Sequence, residues 1–310
     1  MKILFSADIH LKLGQKNVPV EWAKNRFYGF FSQLHKLEAR ADLLILGGDI
    51  FDKLPNMEEL ELYYDLVEGI GIPCIIIPGN HEALKKNTTF LSYLRKVTSR
   101  INPKVDILDD FTTIHGIDFI PYNKLKEPWP DFKSKILVSH FRADIPPHVK
   151  AEIDLETLNK WQLVLAGDLH SYSNSQRNIL YPGSPVTTSF HRNHVDTGVL
   201  LVDSETLEHE WIKLELPQLI RKTIRAGEPM PATDYDHTIY EVEGDMAELS
   251  TLENSELLDK KVVKRETDTA LILDAEMSLA EEVEEYIRYI LQLPEETVAS
   301  VIMELNNYVE

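Results

Sequence analysis

Five short apolar runs in the first 170 residues each end on side chains that bind metal ions, and this regularity limits the possible folds more than any other feature. Residues 3–7 run into Asp8-Ile9-His10, residues 43–47 into Gly48-Asp49, and residues 74–78 into Gly79-Asn80-His81. Residues 136–139 lead to His140, and residues 163–166 to Gly167-Asp168-Leu169-His170. Runs of this length, rich in β-branched residues, read as buried strands. Between them, residues 21–40, 57–70 and 89–100 carry helical periodicity, so the expected class is α/β. In such sheets loops converge at the carboxyl ends of strands, which would bring residues remote in sequence to one place. Glycine beside three of these groups lets the chain turn sharply and approach an ion closely.

The residue types suit phosphate chemistry. Carboxylate and amide oxygens favour hard divalent ions, and imidazole nitrogen shifts the preference toward Mn²⁺, with Mg²⁺ as the other choice. Two such ions about 3.5–4 Å apart can hold a phosphate, deprotonate a water and steady the leaving oxygen. One carboxylate must then bridge them.

The net charge of −19 weighs against a nucleic-acid partner until its distribution is read. Residues 1–205 hold 23 basic and 26 acidic side chains, several of them the expected ligands, whereas residues 206–310 hold 9 and 25. The acidity belongs to the C-terminal third. There, residues 237–242, 261–265 and 270–274 read as strands around a polar helix, and Pro217 suggests a boundary. Ser278 with Glu281 forms a capping box for a helix, and Pro294 starts a second, each with an apolar stripe. The expected domains are residues 1–215, a small α+β module at 216–275 and a helical hairpin at 276–310. Earlier in the chain, a hairpin is expected over residues 112–122, turning at His115-Gly116. The lone cysteine, Cys74, excludes an intrachain disulfide and a thiolate zinc cluster. No run approaches the roughly 20 apolar residues of a membrane span, and Asp8 comes too early for a signal peptide, so a cytoplasmic location is expected.

The ordered series Asp-x-His, Gly-Asp, Gly-Asn-His, lone His and a final Asp-x-His over residues 8–170 resembles the calcineurin-like metallophosphoesterase superfamily. That resemblance implies a β-sandwich flanked by helices. It implies that Asp8, His10, Asp49 and His170 hold one metal, and Asp49, Asn80, His140 and Asp168 the other. His81 would stand over the scissile phosphate as the catalytic residue. The family usually has histidine where this chain has Asp168, so its second site would be harder and more negative. Within the superfamily, Tyr181-Pro182-Gly183-Ser184-Pro185 and Gly48-Asp49-Ile50-Phe51-Asp52 resemble the SbcD family of recombination and repair nucleases, most of all its phage versions. The resemblance implies a homodimer bound to an SMC-like coiled-coil ATPase subunit of the SbcC type, cutting DNA from 3′ ends and nicking single strands with manganese. For a phage protein, the location would be the host cytoplasm.

Lys12, Lys53, Lys85, Lys86, Arg142, Arg177 and Arg192 lie near the motifs and are candidate DNA contacts, as are Lys16, Arg95, Lys96 and Arg100; a solvated face is the competing reading. The C-terminal helices, with nine acidic residues against one basic over 276–310, would dock the ATPase or pack on their own domain. Two other functions stay open: a phosphodiesterase or phosphatase for small substrates, and a non-catalytic scaffold for the ATPase.

Overall fold

The computed structural model describes residues 1–85, 88–147, 149–263, 277–291 and 293–306, apart from the side chains of Lys85, Tyr289 and Ile290. Two sheets face each other. The first is built from β1 (Lys2–Ser6), β2 (Leu43–Gly47), β3 (Cys74–Ile77) and, past a short ribbon of β4 (Ala83–Lys85) and β5 (Thr88–Thr89), β6 (Val105–Ile107). These four strands are parallel and joined by helices α1 (Val20–Glu38), α2 (Met57–Gly69) and α3 (Leu91–Ile101). The second sheet comprises β7 (Thr112–Ile114), β8 (Ile117–Ile120), β9 (Ile136–His140), β10 (Leu163–Gly167) and β11 (Ile179–Leu180). The chain then returns to the first sheet with β12 (Gly198–Asp203), antiparallel to β1, and β13 (His209–Lys213) at its edge.

The period-two alternation of strands sorts their side chains between faces. Ile3, Phe5, Ile45, Ile75 and Ile77 meet Phe119, Ile136, Val138 and Leu165 between the sheets. Leu4, Leu44, Leu46 and Ile76 turn the other way, onto Phe27, Phe30, Leu34, Leu62 and Leu66 of α1 and α2. Burying one such side chain contributes about 1.5–3 kcal/mol. Because both faces are covered, the central strands are apolar throughout, as the sequence runs predict. The outer face of the second sheet is covered by loops and short 3₁₀ turns around Tyr181, Trp161 and Phe141. The hairpin turns at His115 and Gly116, both at positive φ as a type I′ turn requires.

The chain divides into two compact units, residues 1–242 with 253–260, and residues 243–252 with 261–310. In the first, Leu214, Leu216 and Leu219 lie in the helix-side core on both sides of Pro217. A third sheet follows, ordered β14 (Leu219–Arg225), β15 (His237–Gly244), β16 (Leu258–Val263). In the loop before β15, the Tyr235 carbonyl accepts from Trp22 of α1 at 3.0 Å. The second unit holds α4 (Met246–Ser250), α5 (Leu279–Glu285), a π-turn (Tyr286–Ile290) and α6 (Glu295–Leu305). Capping boxes open α4 (Asp245 with Glu248) and α5 (Ser278 with Glu281), the latter as expected. The strand expected at 270–274 lies outside the described residues. Among the described residues no helix is long and apolar enough to cross a membrane.

Candidate active site

The carboxyl ends of β1, β2, β3, β9 and β10 converge at one end of the sandwich, and all eight residues expected in the site meet there. Asp8, His10, Asp49 and Asp168 adopt positive φ (56°, 50°, 51° and 99°). Non-glycine side chains occupy this region at a cost, and they persist where surrounding structure holds them. Here the holding is visible: Asp8 N donates to Gly48 O at 3.0 Å, His10 N to Asp49 O at 2.9 Å, and Asp168 N to the Asp8 carboxylate at 2.9 Å. Two glycines are obligatory. A Cβ on Gly48 (φ 96°) would stand 2.4 Å from His140 Nδ1, and one on Gly79 would stand 2.2 Å from Asp49 Oδ1.

Asp49 is at the centre. Its Oδ2 lies 3.6 Å from His10 Nε2, 3.5 Å from His140 Nε2 and 3.9 Å from His81 Nε2. On one side, His10 Nε2 and His170 Nε2 approach to 3.1 Å, and their ligand atoms cluster with Asp8. On the other, Asn80 Oδ1 lies 2.9 Å from His140 Nε2, 3.1 Å from Asp49 Oδ2 and 3.2 Å from Asp168 Oδ1. Reversing the amide would let its nitrogen donate to all three. With the oxygen inward, a positive charge is required among them: a proton on His140 or a metal ion. The donor set therefore fits divalent cations on both sides of Asp49.

Electrostatics agree. Burial acts to lower the His140 pKa, but Asp49 above all, with Asp8 and Asp168, outweighs it and pushes it up to about 10. Burial lowers His10 to about 3 and also lowers His170. Burial raises Asp8 well above the usual carboxylate range, with Asp49 adding to it and His140 opposing. In the metal-free protein at pH 7.5, His140 is thus protonated while His10 and His170 are not. Since ligation requires a free lone pair, metal binding must displace that proton. Titration calorimetry in buffers of differing ionisation enthalpy should show release of about one proton or more per chain, with affinity rising as pH increases toward 10. Binding with no proton release would contradict His140 as a ligand.

His140 donates from Nδ1 to the Gly47 carbonyl at 2.8 Å, which turns Nε2 inward. His81 is fixed in the same way, Nδ1 to Asp52 O at 2.5 Å, leaving Nε2 toward the ligand cluster and the ring partly open to solvent. The extra negative charge of Asp168 is met by Arg142, whose Nε is 3.9 Å from Asp168 Oδ2. Lys12 Nζ lies 2.9 Å from Asp52 Oδ2, at the rim. Of the other candidate DNA contacts, Lys53 and Lys16 are exposed. Arg177 is tied to Glu156 (2.7 Å), Arg192 to Thr223 (2.7 Å) and Arg95 to Asp106 (3.0 Å). The Lys85 side chain and Lys86 lie outside the described residues.

Sequence reasoning gave no site role to three contributors, of which only Asp52 was quoted, within the Gly48–Asp52 pattern. Glu82 is fully buried and accepts from Asp49 N (3.0 Å), Gly79 N (2.8 Å) and Phe51 N (2.9 Å), so one carboxylate pins two ligand loops. Asp52 supplies the carbonyl for His81 and sets Oδ1 3.7 Å from His10 Nδ1. Thr188 places its hydroxyl 3.2 Å from His170 Nδ1. Glu82 directly follows the Gly-Asn-His motif, which was the available signal; Thr188 offers none in sequence. The Tyr181–Pro185 stretch acts as a clamp. Tyr181 donates to Phe141 O at 3.0 Å, Ser184 Oγ lies 2.7 Å from Asp8 O, and Gly183 takes the positive φ this turn needs.

Comparison with known proteins agrees with the geometry. Residues 1–197 match the family described as calcineurin-like phosphoesterase. Over its whole length the chain is 41% identical to the "Probable exonuclease subunit 1" of Escherichia phage T5, covering 99% of that protein. A DNA double-strand break repair protein Mre11 from Methanosarcina acetivorans is 29% identical over 56% of this chain and 31% of its own. The SbcD component of the nuclease SbcCD from Staphylococcus epidermidis is 23% identical over 66% of each. A match spanning every metal-binding strand end, joined to a full-length likeness to one phage protein, makes this chain a metal-dependent phosphoesterase of the calcineurin-like phosphoesterase family, akin to the phage T5 subunit and more distantly to SbcD and Mre11.

Proposed function

We propose that this chain is a manganese-dependent DNA nuclease, a 3′–5′ exonuclease and single-strand endonuclease, and the catalytic subunit of a complex with an SMC-like ATPase in recombination, repair or replication. The observation that carries the DNA substrate is the full-length likeness to the phage T5 exonuclease subunit, C-terminal helices included. Mn²⁺ on both sides of Asp49 would supply Lewis acidity and a nucleophile drawn from water. Asp8, His10 and His170 with Asp49 would hold one ion, and Asn80, His140 and Asp168 with Asp49 the other. His81 Nε2 then gives a proton to the departing oxygen or steadies the charge on the phosphate. Arg142 and Lys12, at the rim, draw the phosphate backbone toward an otherwise acidic site. The near-neutral charge of residues 1–205 fits a DNA-facing surface, while the acidic C-terminal third fits a protein partner. Leu279, Tyr286, Leu291, Val301 and Met303 are exposed on the C-terminal helices and are proposed to dock the ATPase subunit. Residues 216–275 are proposed to guide DNA, and the active form to be a dimer.

The test is nucleotide release from end-labelled linear duplex and single-stranded DNA with Mn²⁺, by the chain alone, with its ATPase partner, and after truncation at residue 275. Cleavage is expected in both intact forms, with the partner's effect lost on truncation. Absence of DNA cleavage in all three, with hydrolysis of a small phosphodiester retained, would replace the nuclease by a small-substrate phosphodiesterase.

A further inference from the structure

Among the histidines that face the ligand cluster, His140, His81 and His170 each have the outer ring nitrogen engaged. Nδ1 of His140 donates to Gly47 O at 2.8 Å, Nδ1 of His81 donates to Asp52 O at 2.5 Å, and Nδ1 of His170 meets the Thr188 hydroxyl at 3.2 Å. His10 is the exception. Its Nδ1 is buried and has no hydrogen-bond partner among the described residues. Its other nitrogen, Nε2, faces the cluster, 3.1 Å from His170 Nε2 and 3.6 Å from Asp49 Oδ2. Ligation through Nε2 leaves the ring proton on Nδ1, where burial makes an unmade hydrogen bond costly.

An acceptor stands beside it: Asp52 Oδ1 lies 3.7 Å from His10 Nδ1. The chain holds Asp52 firmly. Its N–H donates to Leu11 O at 3.4 Å, next to a parallel bridge between Leu11 and Phe51, so the segments that follow β1 and β2 run side by side here. Its carbonyl accepts from His81, and its Oδ2 lies 2.9 Å from Lys12 Nζ. With Oδ2 engaged by the lysine, Oδ1 is the oxygen left to face the His10 ring. Closing that gap to an ordinary N–H···O length takes a shift of about 0.5–1 Å.

We infer that Asp52 is a positioning residue for His10: its carboxylate accepts the Nδ1 proton when Nε2 binds an ion, and Lys12 holds the carboxylate in that place. The inference rests on the proposed reading of Asp8, His10, Asp49 and His170 as metal ligands and is independent of the substrate. A carboxylate on the outer nitrogen fixes the ring's rotation and makes the inner nitrogen a stronger donor, and loss of such a partner costs about 10- to 100-fold in metal affinity. Asp52 thus serves two histidines, His10 through its carboxylate and His81 through its carbonyl. Substitution can remove only the first service, since every residue at this position keeps a carbonyl.

The experiment is calorimetric titration of the full chain with Mn²⁺, for wild type, Asp52→Asn and Asp52→Ala, together with proton spectra of ¹⁵N-histidine-labelled protein loaded with diamagnetic Mg²⁺. The Asp52 side chain is partly exposed and asparagine keeps its shape, so the fold is retained. In Asp52→Ala one Mn²⁺ site should weaken about 10- to 100-fold while the other stays within about threefold. Asp52→Asn, whose amide oxygen still accepts but carries no charge, should lose less. The His10 Nδ1 proton should resonate far downfield in wild type and move upfield in Asp52→Ala, whereas the His140 Nδ1 proton, bonded to Gly47 O, should stay in place. Unchanged titrations with an unmoved His10 signal would overturn the inference. So would equal weakening of both sites with both histidine signals shifted, which is the mark of a rearranged loop. A wild type that binds no Mn²⁺ would refute the metal reading and the inference with it, while DNA cleavage, measured separately, bears only on the substrate.

Discussion

Asp49→Ala should abolish hydrolysis, lowering the rate by at least about three orders of magnitude, or about 4 kcal/mol of transition-state stabilisation. The reason is positional. Asp49 Oδ2 stands within 3.6 Å of both His10 Nε2 and His140 Nε2, so a single carboxylate serves both sides of the site at once. Burial pushes its pKa up, yet His140 and His10 hold it well below the usual carboxylate range, keeping an anion ready for cations. Its removal also frees His81 N, which donates to Asp49 Oδ1 at 2.9 Å. Titration of the variant with Mn²⁺ should show loss of both sites. Two-site binding at unchanged affinity would contradict the bridging role.

His81→Ala is the second large effect, and of a different kind. Its Nδ1 is engaged by the Asp52 carbonyl, and its Nε2 lies 3.9 Å from Asp49 Oδ2 at the solvent-open side of the ligand cluster, where the proposed function uses it on the phosphate. The ring edge also packs on His10, with centroids 4.7 Å apart. A proton donor in this position contributes about 10²- to 10⁴-fold to rate. The variant should therefore bind Mn²⁺ and DNA nearly as wild type does while turnover falls by that factor. Equal turnover in His81→Ala would remove the residue from the chemistry, and loss of metal binding would recast it as a ligand. The two variants separate assembly of the site from use of it.

Much of this was legible in one dimension because strands and their ends are local. The runs at 43–47 and 74–77 are apolar at every position because helices cover one face and a second sheet the other, and composition records that directly. The turn at His115-Gly116 and the capping box at Ser278 are likewise short-range. The short edge strands β6 and β11 were not legible, since three- and two-residue segments carry no period and exist only because a neighbouring strand offers hydrogen bonds. Nor was the path beyond Pro217. Proline marks a turn, but Leu219 is drawn into the same core as Leu214 and Leu216.

By itself the sequence determined which residues could ligate metal and that each sits where a strand ends, because that information is carried by residue type and by position relative to an apolar run. Tertiary structure decided how they are held. Glu82 binds three backbone amides of two loops, Arg142 offsets the unusual Asp168, and Thr188 meets His170. Apart from the Glu82–Gly79 bond, each depends on distances between residues 18 to 33 positions apart in the chain. Distances of that kind are set by packing and hydrogen-bond closure, which have no counterpart in the linear pattern.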